Sequence, residues 1–308
     1  MRISKHLCLF LGAVVGSALL ASAQGKPKLT LDEFFSSVDF PAISISPDGN
    51  SVVIVTERPD WGQNIFRTDL WLYRDNAQGA PPIAPALIQL TQSGHDSNPK
   101  WSPDGRWIAF LTERKTSSEK DSAAKNEKGR SKNKNKDKDD KEETTQIYLI
   151  SPTGGEAIPL TQGEEEVHTF SWSPDSRTIY FATRNPWTKA QKDDYKKQWK
   201  DVLQYRTAER GDTIFAFDLT TALANHAAEG TKESDSEKES ETTPGARAIV
   251  TSPLRIENLV TSPDGNKLAF TTNAINQRQE KAEDVEIYAV NVAPASSPAK
   301  ADGATFTA

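Results

Sequence analysis

Trp101-Ser102-Pro103-Asp104-Gly105-Arg106-Trp107-Ile108-Ala109-Phe110 is the stretch that decides the fold, because its Ser-Pro-Asp centre occurs four times in the chain. The other copies are Ser46-Pro47-Asp48-Gly49, Ser173-Pro174-Asp175-Ser176 and Ser262-Pro263-Asp264-Gly265. Proline presets the φ angle of a turn, aspartate bonds the backbone two residues on, and glycine accepts a positive φ without strain. The phrase therefore reads as a hairpin turn. Apolar runs flank it. Pro99-Lys100-Trp101 and Phe170-Ser171-Trp172 stand before it, and Trp107 to Phe110, Thr178 to Phe181 and Lys267 to Phe270 follow. These β-branched and aromatic runs suit strands.

A third strand follows in every unit: Asp69 to Tyr73, Gln146 to Ile150, Asp212 to Phe217 and Glu286 to Val290. Three units offer a fourth: Leu87 to Thr91, Ala157 to Thr161 and Arg247 to Thr251. Four antiparallel strands per unit, repeated between turns, make a propeller blade. The fold class expected is all-β, a partial β-propeller of about four four-stranded blades with one helical insertion and disordered polar loops. The four phrases begin 56, 71 and 89 residues apart. Blades usually repeat every 40 to 50 residues or so, so the excess is insertion.

The insertions fall at 113–145, 186–211 and 223–245, within a propeller spanning 24–295, and 296–308 reads as a flexible tail. The first is dominated by Lys, Asp, Glu, Ser and Asn, and cannot repay the entropy of ordering. Its interleaved acids nearly cancel its basic cluster, leaving a solvated loop. The stretch Asn225 to Pro244 reads as a second disordered excursion. Between Pro186 and Arg210, however, Tyr195, Trp199, Val202, Leu203 and Arg206 recur at helical spacing. This helix either packs on the blade it leaves or serves as a lid or docking element beside a binding site.

The chain has 308 residues, 36% hydrophobic and 26% charged, enough for a sizeable core. A net charge of −6 and a pI near 5.4 argue against a nucleic-acid partner. At the N-terminus Arg2 and Lys5 precede the mostly apolar run Leu7 to Leu20 and then Ala21-Ser22-Ala23. Residues 1–23 thus read as a secretory signal cut after Ala23, with a periplasmic or secreted product and no stable membrane insertion afterwards. Cys8 lies inside that signal, so the exported chain carries no thiol, disulfide or cysteine-based metal site.

No Gly-x-Ser-x-Gly elbow occurs, so the strained turn that exposes a nucleophilic serine is missing and no catalytic residue is assigned. The histidines His6, His95, His168 and His226 sit in no metal-ligand pattern, and no metal or cofactor is expected. His95 and His168 each stand shortly before a Ser-Pro-Asp turn, where a structural bond to a neighbouring loop is expected. The clusters Glu164-Glu165-Glu166 and Glu209-Arg210-Gly211-Asp212 could grip charged groups, but read first as solvated loop charge. The repeated aspartates lack the clustered oxygens calcium requires and are turn formers.

The Trp-Ser-Pro-Asp-Gly-x-x-Ile-Ala-Phe pattern at Trp101 to Phe110 resembles the WD-like blades of the prolyl oligopeptidase family, including dipeptidyl peptidase IV and acylaminoacyl peptidase relatives. Arg67-Thr68-Asp69-Leu70-Trp71-Leu72 and Glu209-Arg210-Gly211-Asp212 look like exported bacterial members. The resemblance implies a serine peptidase whose N-terminal propeller covers a C-terminal α/β-hydrolase domain and admits only short peptides. It implies a peptide substrate, and with the helix around Tyr195 to Arg206 it makes Glu209 and Arg210 the substrate-binding candidates. The blade motif is shared with Tol-system periplasmic propellers, so a non-enzymatic protein-binding propeller is the alternative. Four units, one short of a strand, are fewer than the seven or eight or so that such rings close, so an open arc cut from a longer protein is expected.

Overall fold

In a computed structural model of the chain, residues 28–75, 87–113, 144–199, 210–229, 243–273 and 285–292 are described. The expected signal (1–23), the expected C-terminal tail (296–308) and most of the first polar insertion lie outside them. Contacts divide the chain at Ser37. Among the described residues the first unit contributes a short helix, α1 (Leu31–Phe35), opened by a capping box in which Thr30 and Glu33 exchange side-chain bonds to each other's amides.

The second unit holds four antiparallel sheets in sequence order. Blade 1 is β1 (Asp39–Ile45), β2 (Ser51–Asp60), β3 (Ile65–Arg74) and β4 (Leu87–Gln89). Blade 2 is β5 (Asp96–Trp101), β6 (Ile108–Thr112), β7 (Gln146–Ile150) and β8 (Ile158–Pro159). Blade 3 is β9 (Val167–Trp172), β10 (Thr178–Arg184), β11 (Asp212–Asp218) and β12 (Arg247–Thr251). Blade 4 has β13 (Arg255–Thr261), β14 (Lys267–Asn273) and β15 (Val285–Asn291). Each is a simple meander, so the unit is an all-β partial propeller.

The Ser-Pro-Asp turns do more than reverse the chain. In each, the serine hydroxyl donates to the aspartate, at 2.5 Å from Ser46 to Asp48 and 2.6 Å from Ser102 to Asp104. The same hydroxyl accepts the amide that opens the next strand, from Ser51 and Thr178 at 2.9 Å and from Trp107 at 3.0 Å. Asp48 accepts the Asn50 amide at 3.1 Å, as expected of a residue that bonds the backbone two positions on. These bonds hold the carboxyls of Asp48 and Asp264 below their usual range, that of Asp264 at about 2, with the serine hydroxyl the largest cause. Ser176 replaces the glycine at φ 61°, and its hydroxyl takes the Asp104 amide of the preceding blade at 2.9 Å. Successive turns thus touch.

The core lies between blades, because each sheet is apolar on both faces. Val53, Val55, Leu70 and Leu72 of blade 1 bury against Ile108, Phe110, Tyr148 and Ile150 of blade 2. The other face of blade 2, with Ala109, Leu111, Ile147 and Leu149, meets Phe170, Trp172, Ile179 and Phe181 of blade 3. Blade 3 then turns Tyr180, Ala182, Ile214 and Ala216 to Ile256, Leu259, Leu268 and Phe270 of blade 4. At each junction the residue before Ser-Pro-Asp reaches back one blade. The Trp101 indole donates to Ser44 O at 3.1 Å, the Trp172 indole to Lys100 O at 3.2 Å, and the Thr261 hydroxyl to Ser171 Oγ at 3.0 Å. Lys100, whose amine burial pushes below the usual lysine range, donates to Phe170 O and lies over its ring.

Two helices leave blade 3. The helix expected in the 186–211 insertion is present as α2 (Lys189–Trp199), opened by a Thr188–Gln191 capping box; Val202, Leu203 and Arg206 lie outside the described residues. The expected disordered excursion from Asn225 is corrected at its start, since α3 (Leu219–Glu229) runs through it. The Asp218 carboxylate caps this helix through the Thr221 amide at 2.9 Å, and Ala222 is buried against the blade 2–3 core with Leu219 and Leu223 beside it. Residues 230–242 lie outside the described set. Among the described residues no helix is long and apolar enough to cross a membrane.

Candidate functional site

The polar side chains that converge most closely do so where blade 2 hands over to blade 3 and the helical insertion is rooted. Glu164, Glu165 and Glu166 sit on the connection into β9. The insertion leaves β10 at Arg184 and returns to β11 at Arg210-Gly211, so both of its roots face those glutamates. Each glutamate takes a different cation. Glu164 pairs with Lys192 of α2 at 2.5 Å, and Glu166 lies 3.2 Å from the Arg184 guanidinium. Glu165 accepts two bonds from the Arg210 guanidinium, at 2.5 and 2.9 Å. The solvated-charge reading is corrected for Glu165, whose bidentate pair with Arg210 is mostly buried, while Glu164 and Glu166 pair at the exposed surface.

Arg210 also donates to Asn185 O at 2.8 Å and lies over the Trp187 ring at 5.2 Å, which in turn meets Tyr195 edge-on at 5.0 Å. Its planar guanidinium thus ties three parts of the insertion root to one carboxylate. Of the two substrate-binding candidates, Glu209 lies outside the described residues. The bonding face of Arg210 is engaged by Glu165 and Asn185.

Beneath these pairs lies a buried carboxylate. Asp212 heads β11 and is fully buried; one oxygen accepts the Ile256 amide at 2.7 Å, where blade 4 begins. Asp69 at the third strand of blade 1 does the same for Gly94 N at 3.0 Å, on the way to blade 2. The other Asp212 oxygen faces His168 Nε2 at 3.6 Å, while His168 Nδ1 faces Glu166 at 3.6 Å. His168 is the extra residue of a bulge in β9, which turns its ring inward until only 8% of the side chain is exposed. His95 differs: it is exposed and bridges to Thr68. Only His168 is buried among charges, and its Nε2 has no hydrogen-bond partner among the described residues.

Gly211 is required by contact. A Cβ there would stand 2.0 Å from Ser252 O and 2.7 Å from the Pro253 backbone. Sequence reading named Gly211 and Asp212 only within the Glu209 to Asp212 cluster, without their packing roles, and missed Asn185 and Trp187. The available signal was the carboxylate heading the third strand in blades 1 and 3.

A shallow hollow beside the Glu165–Arg210 pair has room for about one water molecule. Phe181 and Phe215, stacked at 5.4 Å, line it with Gln146, Thr183, Arg184 and Glu165. The Thr183 hydroxyl is buried with no hydrogen-bond partner among the described residues. Among the described residues no group of acidic or histidine side chains is arranged to hold a metal.

No family model matches the chain. Over 270 residues it is 23% identical to the Bacillus subtilis (strain 168) protein named Uncharacterized peptidase YuxL, covering 85% of this chain and 34% of that protein. The chain therefore spans about a third of the length of this curated relative. Among solved structures it is similar to the uncomplexed acylaminoacyl peptidase of Pyrococcus horikoshii, at 12% identity and TM-score 0.45, covering 85% of this chain and 32% of that one. It is also similar to TolB from Acinetobacter baumannii, at 13% identity and TM-score 0.40, covering 83% and 41%. The resemblance to peptidase propellers read from the Ser-Pro-Asp blades is matched by a relative that is itself named a peptidase.

Proposed function

We propose that this chain is the blade array of an exported serine peptidase of the prolyl oligopeptidase type, and that it gates peptide access to an α/β-hydrolase domain encoded outside these residues. The observation that carries the reading is the likeness to a named peptidase across 85% of the chain. Two further features support it. The chain contains no Gly-x-Ser-x-Gly elbow, so its part in hydrolysis would be selection and positioning rather than bond cleavage. A helix-bearing insertion pinned at its root by the bidentate Arg210–Glu165 pair is the kind of element that a rigid scaffold presents to a ligand. In this reading Arg210 acts first as the pin of that insertion, and a peptide carboxylate would reach it only by displacing Glu165.

The test is to treat the exported fraction of cells expressing the native gene with a fluorophosphonate that reacts with activated serines, then identify labelled peptides by mass spectrometry. The expected result is a labelled Gly-x-Ser-x-Gly serine on the same polypeptide as Trp101 to Phe110. An unlabelled polypeptide that still captures a protein partner would replace this reading with the protein-binding propeller.

A further inference from the structure

Two buried polar atoms of blade 3 face each other without a bond between them. His168 Nε2 and Asp212 Oδ1 stand 3.6 Å apart, and both are buried with no hydrogen-bond partner among the described residues. That separation is too long for a hydrogen bond, and a buried polar atom left unpaired is costly. The other ring nitrogen meets the same chemistry, because Nδ1 stands 3.6 Å from Glu166 Oε1. Both nitrogens thus look onto carboxylate oxygens, which when ionised can only accept.

A neutral imidazole cannot serve both carboxylates. With its proton on Nδ1 it turns the Nε2 lone pair on Asp212, and with its proton on Nε2 it turns the Nδ1 lone pair on Glu166. Only the doubly protonated ring offers a donor to each, and its positive charge then lies between two negative ones. The other charged groups around it do not take the place of that proton. Arg184 of β10 lies 3.2 Å from the same Glu166 oxygen that faces the ring, and although it is the direct cross-strand partner of Asp212 it forms no ion pair with that carboxylate. Arg210 is engaged by Glu165, while Arg255 and Glu257 of β13 are exposed and pair with neither His168 nor Asp212.

What the two carboxylates hold makes the proton consequential. The second Asp212 oxygen accepts the Ile256 amide at 2.7 Å where blade 4 begins, and the Asp212 carbonyl accepts the Ser252 amide at 2.8 Å. Next to it the Asn185 amide donates to Gly211 O at 2.9 Å, joining the two roots of the insertion, and Glu166 meets Arg184, the last residue of β10. We infer that His168 is a proton-operated clasp: the doubly protonated ring bridges Asp212 and Glu166 and locks the roots of the 186–211 insertion to the start of blade 4, and loss of the proton opens it. The stability that the clasp adds is present on the acid side and is lost as the pH rises through deprotonation of the ring, a change that histidine side chains ordinarily make between about pH 5 and 8. The inference does not rest on the peptidase reading, because a protein-binding propeller would carry the same clasp.

Hydrogen–deuterium exchange of the full-length protein tests it, read by mass spectrometry on peptides covering residues 184–188, 210–214 and 252–258 at about pH 5.5 and about pH 8. The protection factors of the parent in these segments are expected to fall at least about fivefold from the lower to the higher pH, while those of β6 and β7 in blade 2 hold. Glutamine keeps a neutral donor and cannot take up a proton, so the ratio of parent to His168→Gln protection is expected to be at least about fivefold larger at the lower pH. Asp212→Asn retains an oxygen for the Ile256 amide and offers an N–H to a neutral ring, so it is expected to lose the pH response of the parent. Circular dichroism at both pH values shows whether the variants fold, and if they do not, the parent's own response decides. Parent protection that does not fall in these segments, a ratio to His168→Gln equal at the two pH values or larger at the higher one, or a folded Asp212→Asn protein with the parent's response would each overturn the inference.

Discussion

Replacing Gly211 by alanine asks whether the insertion root and the blade 3–4 junction are one close-packed unit. The added Cβ would lie 2.0 Å from Ser252 O and 2.7 Å from two Pro253 backbone atoms. Because these are backbone atoms, no rotamer change can relieve the clash. One chain must retreat by about 1 Å or more, and four hydrogen bonds cross the affected region: Asp212 N to Leu254 O, Ser252 N to Asp212 O, Asn185 N to Gly211 O, and Ile256 N to the Asp212 carboxylate. Losing two of them at about 1 kcal/mol each, with about 1–3 kcal/mol for overpacking, gives a cost of about 3–5 kcal/mol. For a domain of this size that is a fall in Tm of roughly 6 to 20 °C, read by circular dichroism on heating. Gly62→Ala is the control, because its nearest atom is the mobile Asp60 carboxylate at 3.4 Å, and a change under about 0.5 kcal/mol is expected. A Gly211→Ala protein melting within about 2 °C of the parent would refute the close approach and the junction built on it.

Further expectations follow from the same geometry. A double-mutant cycle of Glu165→Gln and Arg210→Met is expected to give a coupling of about 1–2 kcal/mol, since the pair is bidentate and mostly buried; a coupling below about 0.3 kcal/mol would count against an anchoring role. The Asp264 carboxyl, held at about 2 when folded against about 3.9 unfolded, contributes stability that is fully present above about pH 4 and is lost as the pH falls toward 2. Asp264→Asn should therefore be less stable than the parent at neutral pH and converge with it between about pH 4 and 2 in acid-unfolding curves, and a pH-independent gap would contradict the turn chemistry. If residues 1–23 are a secretory signal, N-terminal sequencing of the exported protein should begin at Gln24; an exported product that retains Met1 would contradict this.

The blades were legible because each carries its own punctuation. Proline, aspartate and glycine at fixed offsets mark the turn, and the β-branched and aromatic runs beside it become strands that appear where the sequence places them. The helix Leu219–Glu229 was not, because Asn225 onward was read by composition, while the helix is set by the Asp218 cap and by Ala222 packing under blade 2. The glutamate triplet shows the complementary failure. Its partners Lys192 and Arg210 stand 28 and 45 residues away, and only the folding of the insertion back to its root brings them together. His168 could be seen as a histidine before a turn, but its burial depends on a bulge that no local residue type announces.

The proposed gating meets its most direct test in the peptide-length dependence of any hydrolysis by the full-length protein, measured with a graded series of short peptides beside unfolded casein. The account expects rapid cleavage of the short peptides with casein spared, and a Glu165→Gln variant, its insertion loosened, that admits longer ones. Equal cleavage of casein and short peptides by the parent enzyme, or no hydrolysis of any of them, would contradict it.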